Sequence, residues 1–117
     1  MKQPKLSDGE IDLGDGHWLR YSVWNPDLNL NPQYAHLADM IREQPVVGAT
    51  IRHLCKTETG QHEGGIHFKT ELTDASPGFG KTWTVESWDP LTISPSLLSH
   101  CPCNDHGFIK HGKWVRA

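Results

Sequence analysis

Eleven glycines and eight prolines cut this chain of 117 residues into short runs, and that punctuation limits what it can fold into. Between the turn signals, apolar and polar positions alternate as they do in half-buried strands. Residues 10–24 read as a hairpin. Ile11 and Leu13 alternate with polar neighbours, and Gly14-Asp15-Gly16 turns the chain. His17, Leu19, Tyr21 and Val23 then share one face of the return strand, and Trp18 and Trp24 the other. Residues 46–54 are partly β-branched and predict a central strand, 56–65 a polar connection, and 66–69 a further strand. Residues 73–81 read as a loop. Residues 82–88 form the clearest strand, with Trp83 and Val85 on one face. Pro95 interrupts 91–98, which should be extended and peripheral. Residues 107–116 close the chain as a hairpin turning at His111-Gly112.

Only one segment has helical spacing. Asn31-Pro32 supplies a capping residue followed by proline at the first helical position, and Tyr34, Leu37 and Ile41 recur on one side up to about Glu43. The expected fold is therefore mainly β: a small single-domain β-sandwich or partly open barrel over residues 1–117, with one short helix and a C-terminal hairpin. Five tryptophans can carry a core of that size, and core is the simpler reading of them than a stacking surface for bases.

Chemistry concentrates at the end of the chain. Cys101, Cys103, His106 and His111 fall within eleven positions, and thiolate and imidazole are donors that zinc favours. Pro102 restricts the backbone between the two thiols, and Asn104-Asp105 favours a turn that brings His106 back toward them. Three ligands leave a tetrahedral structural site incomplete. The fourth is expected among His111, His100, His53 and Cys55, and a ligand from residues 53–55 would staple the C-terminal segment, about residues 98–117, to the sheet. The alternatives are two small buried thiols with a surface imidazole and, as a lesser one, a strained Cys101–Cys103 disulfide. His17, His62 and His67 are scattered and read as ordinary surface or core residues, and Cys55 as a small core residue; a second site built from His53, Cys55, His62 and His67 is the less favoured reading. The sequence 78–82, Gly-Phe-Gly-Lys-Thr, lacks the spacing and the following helix of a phosphate loop.

Residues 83–98, followed by Cys-Pro-Cys-Asn-Asp-His-Gly-Phe-Ile and Gly-Lys-Trp-Val, resemble a family of short proteins encoded by tailed bacteriophages and prophages. Cys103, His106 and Gly107 match its Cys-x-x-His-Gly pattern; Cys101 fits the preceding cysteine if that spacing varies. The resemblance covers the C-terminal third best, and 13–36 more loosely. It implies phage origin, action in the bacterial host cytoplasm and a small Cys/His-containing domain, and it implies no activity.

The remaining expectations concern partners. The net charge is −3 and the basic residues are unclustered, which argues against a nucleic-acid partner. No apolar run approaches the length of a membrane span, and the first residues lack the apolar stretch of a signal peptide. Three cysteines do not make a closed disulfide framework. The reading is a small zinc-binding accessory or host-interaction protein whose partner is a host or phage protein. No acid/base constellation stands out. The alternatives are a metal-dependent hydrolase using an open coordination position, with Asp105, Glu86 or Asp89 as base, and a structural or virion-associated module.

Overall fold

In the computed structural model, residues 9–24, 26–43, 46–55, 60–75, 79–98 and 105–117 are described. They form a mainly β protein of nine strands in two sheets. The six-stranded sheet takes its strands in chain order: β1 (Ile11–Gly14), β2 (His17–Val23), β3 (Val46–Leu54), β4 (Gln61–Phe68), β5 (Thr82–Trp88) and β6 (Leu91–Ser94). Neighbours are antiparallel except β4 and β5, which run parallel and pair only at His67 with Thr82 and Phe68 with Trp83. The second sheet contains β7 (Leu97–Leu98), β8 (His106–Lys110) and β9 (Lys113–Arg116). It packs with β8 beside β6 and β9 beside β1.

The two tight hairpins turn where the sequence predicts. Asp15 and Gly16 have φ of 51° and 72°, and His111 and Gly112 have 51° and 75°, the paired left-handed geometry that suits the twist of two-residue hairpins. Alternation then sets the core. Leu13, Leu19, Ile51, Ile66, Phe68, Leu91, Ile93, Leu97, Ile109 and Trp114 meet between the sheets, and Trp83, Val85 and Trp88 pack against them. Phe68 is wholly enclosed, its ring set edge-on to both Tyr21 and Trp88.

A smaller cluster explains the helical segments. Leu37, Ile41, Val47 and Leu72 bury together, with Trp24, Leu28, Tyr34, Met40 and Phe79 against them. The expected single helix is a 3-10 helix (Pro32–Leu37) running into α1 (Ala38–Arg42). Asn31 does not cap it through its side chain. Its amide donates instead to the Asp27 carbonyl at 2.9 Å and holds the preceding turn.

Three expectations are corrected. Residues 61–65 are not a connection but the first part of β4, because the register with β3 continues from His67 through to Gln61 despite two glycines. Residues 71–75 form α2 (Glu71–Ala75), where Thr70 and Thr73 cap each other: Thr73 N–H donates to Thr70 Oγ1 and Thr70 N–H to Thr73 Oγ1. Residues 91–94 are not peripheral, since Leu91 and Ile93 are buried in the main core; Pro95 only separates β6 from β7. Among the described residues no helix is long and apolar enough to cross a membrane.

Candidate functional site

The most distinctive grouping is a row of rings lying across three strands of the large sheet and one of the small. Register places His17 of β2 opposite His53 of β3, and His53 opposite His62 of β4. Residues directly opposite on antiparallel strands share a face, so all three imidazoles lie on one side. The rings of His17 and His53 stack at 5.5 Å with planes 15° apart, and those of His53 and His62 at 5.6 Å and 24°. Trp114 of β9 completes the row, its indole 4.0 Å from the His17 ring and tilted by only 10°.

His17 is the anchor of the row. It is 2% exposed, and both ring nitrogens face oxygen acceptors. Nδ1 lies 2.8 Å from the Asp15 carbonyl, and Nε2 is hydrogen-bonded to Asp105 Oδ2. A carbonyl can only accept, so Nδ1 carries hydrogen. The hydrogen bond to Asp105 gives the second ring nitrogen a partner, so no polar atom of the buried ring is left unpaired. Arg116 reaches the same turn, donating to Asp15 Oδ2 at 3.0 Å. The C-terminal sheet is thus fastened to the first hairpin by a ring stack, a partly buried hydrogen bond and an ion pair.

Beside the row lies a cavity of about 500 Å³ between β4 and β7. Its apolar wall includes Ile51, Ile66, Trp83, Leu97 and Trp114, and its polar residues are His53, His62, Glu63 and Asp105. Gly64 opens it: a Cβ built there would meet nothing within 4 Å, so this position on β4 leaves space instead of filling it. Concave, mainly apolar volume with a few convergent polar groups is the usual form of a binding site.

Burial holds the His53 imidazole below the ordinary histidine value of 6.5, with Asp105 opposing the shift and His17 and His62 adding to it. The unfolded chain therefore takes up a proton at His53 before the folded one does. Stability from this group is complete above pH 6.5 and is lost as pH falls through the lower folded value. His53→Gln is expected to flatten the decline in urea midpoint between about pH 7.5 and 5. An unchanged slope in that variant would show that His53 is not the titrating group.

The sequence-predicted ligands that fall among the described residues are dispersed. Cys101, Cys103 and His100 lie outside the described residues. His106 is exposed on the outer side of β8, its Nε2 2.9 Å from Ser96 Oγ, while its neighbours Gly107 and Ile109 turn inward. His111 is exposed in the β8–β9 turn, where its N–H donates to Thr92 Oγ1. Cys55 is buried just beyond the end of β3. Of the described candidates, His53 alone shares the cavity with Asp105. Among the described residues, no group of three His, Cys, Asp or Glu side chains is placed to hold a metal ion. His67 lies apart from the row, against Phe79 on the opposite face of β4.

Sequence reasoning considered His62 only in a discounted pairing with His67, and it missed the partnership of His17 with Asp105. His17 and His53 share strand faces with Leu19 and Ile51, which was a usable signal, whereas His62 sits among Gln61, Glu63 and Gly64 and gave none; which histidines stand opposite one another depends on strand register. No family model, no curated protein and no solved structure matches this chain.

Proposed function

We propose that this protein is a small zinc-binding recognition module. In it, the thiols of Cys101 and Cys103 join His53 and His62 in a four-ligand site at the end of the cavity. One observation carries the reading: Asp105 stands in the cavity wall beside His53 and His62. Cys103 is two residues from Asp105 in the chain, a tether of about 7 Å at full stretch. Two imidazoles on one tetrahedral zinc, with Zn–N bonds of about 2.0–2.1 Å, have ring centres roughly 5 Å apart. The His53 and His62 centres are 5.6 Å apart, and with planes 24° apart one ring must rotate to aim both lone pairs at a single ion. His106 would have to leave Ser96 to take part, so it is the weaker third ligand.

Four protein ligands make a closed, structural site and leave no position for a hydrolytic water. Of the expected bases, Asp105 is engaged by His17, and Glu86 and Asp89 are exposed and do not line the cavity. Recognition is therefore favoured over hydrolysis. The resemblance to phage-encoded proteins supports a host or phage protein as the partner, met in the bacterial cytoplasm.

Elemental analysis of the purified full chain is expected to find close to one zinc per molecule. Cys103→Ser and His62→Gln should each lower the zinc content and reduce the melting temperature by about 10 °C or more. Absence of zinc at near-stoichiometric amounts overturns the reading. Full retention in a His53→Gln/His62→Gln double variant moves the ligands elsewhere.

A further inference from the structure

Among the described residues, the outer edge of β4 is paired over only a short part of its length. β5 pairs with it only at His67 and Phe68 and then turns away to pair with β6. Lys69 N–H donates to the Trp83 carbonyl of β5 at 2.8 Å, which fixes the side to which odd-numbered residues of this strand direct their backbone groups. In an extended strand both polar groups of one residue point the same way, and those of the next residue point the opposite way. The N–H and C=O of Glu63 and Gly65 therefore face the open side, and among the described residues no backbone partner meets them there. Proteins usually cover or charge such an edge.

What borders the edge is suited to a second chain. Gly64 faces inward over the cavity with no atom near its missing Cβ, and Trp83, Leu97 and Trp114 form the far wall. Leu98, at the rim, is 48% exposed. On the outer face Glu63 stands opposite Arg52, but Arg52 already gives two hydrogen bonds to Glu10, both at 3.0 Å, and lies over the Trp18 ring. The Glu63 carboxylate acts on Arg52 through its charge and, exposed on this strand, is also the acidic group that an incoming chain would meet.

We infer that β4 receives an extended peptide as an added strand, with one large apolar side chain entering the cavity over Gly64 and a neighbouring Lys or Arg pairing with Glu63. The alternation of a strand requires that spacing: the residue aimed inward and its outward neighbour are adjacent in sequence. A volume of about 500 Å³ accommodates a phenylalanine or leucine side chain. The inference rests on the reading of a recognition module and is independent of the metal.

The probe is a set of labelled octapeptides carrying Phe, Leu or Ala at the fourth position and Lys or Glu at the third and fifth, titrated into the full chain. Phe flanked by lysines is expected to bind about tenfold more tightly than Ala with the same flanks, or than Phe flanked by glutamates. Gly65→Pro removes one outward N–H while leaving the β3 ladder intact, and Gly64→Leu fills the cavity mouth. Each should weaken binding by about tenfold or more while unfolding stays cooperative. No binding by any peptide overturns the inference, as does binding that both variants leave unchanged. A concentration-dependent dimer abolished by Gly65→Pro overturns it in favour of a second copy as the occupant. Zinc is measured on the same samples. Peptide binding without zinc supports the inference and removes only the metal reading; zinc without peptide binding removes the inference and leaves the metal reading standing.

Discussion

Gly48→Ala is expected to destabilise the protein by about 3 kcal/mol or more, the upper end of what overpacking costs. A Cβ at Gly48 would stand 2.2 Å from the Ile66 carbonyl oxygen and 3.3 Å from the His67 Cα, so the obstacle is backbone and cannot rotate away. Relief requires separating β3 from β4, the pair that carries His53 and His62. Gly107→Ala is nearly as crowded, with Trp114 ring atoms at 2.6 Å and the Val115 carbonyl oxygen at 2.7 Å. Gly64→Ala is the control. Its Cβ enters open space, so it should be neutral or raise stability by a few tenths of a kcal/mol, about what removing unfolded-state freedom supplies. Urea denaturation of the three variants checks the ranking, and equal losses in all three would show that close approach is not what selects glycine at residues 48 and 107.

Asp105→Ala is the second large effect, about 3 kcal/mol, because it strands a buried polar ring. His17 is 2% exposed and Asp105 15%, so water replaces the lost acceptor poorly. Removing both members should hurt less than removing one. His17→Leu/Asp105→Leu leaves no unpaired donor and is expected to unfold at a higher urea concentration than Asp105→Ala. A double variant as unstable as the single would show that the stack with Trp114, not the hydrogen bond, holds the first hairpin to the last.

The two predictions separate what was legible in the residues from what was not. Hairpins were readable because Asp15-Gly16 and His111-Gly112 carry their own backbone geometry, and the strand at 82–88 because Trp83 and Val85 alternate with polar neighbours. The amino half of β4 was unreadable by the same logic. Gln61, Glu63, Gly64 and Gly65 have no apolar alternation and little strand propensity, and they are held extended by pairing with β3. α2 was hidden by its brevity, although Thr70 and Thr73 were the trace of a cap. The candidate site was half visible. His53 stood out through its nearness to Cys55, but the row it belongs to is a property of register. Asp105 could be seen as polar and turn-forming; its buried partner lies 88 residues away.

That long separation has a consequence for how the molecule is made. The bonds closing the first hairpin against the last join residues 88 and 101 positions apart, His17 to Asp105 and Asp15 to Arg116. During synthesis, β1 and β2 leave the ribosome well before those partners exist. The apolar inner face of the early sheet then waits, uncovered, for β8 and β9 to arrive. Nascent chains halted ahead of residue 105 should accordingly be the ones that chaperones hold and proteases cut.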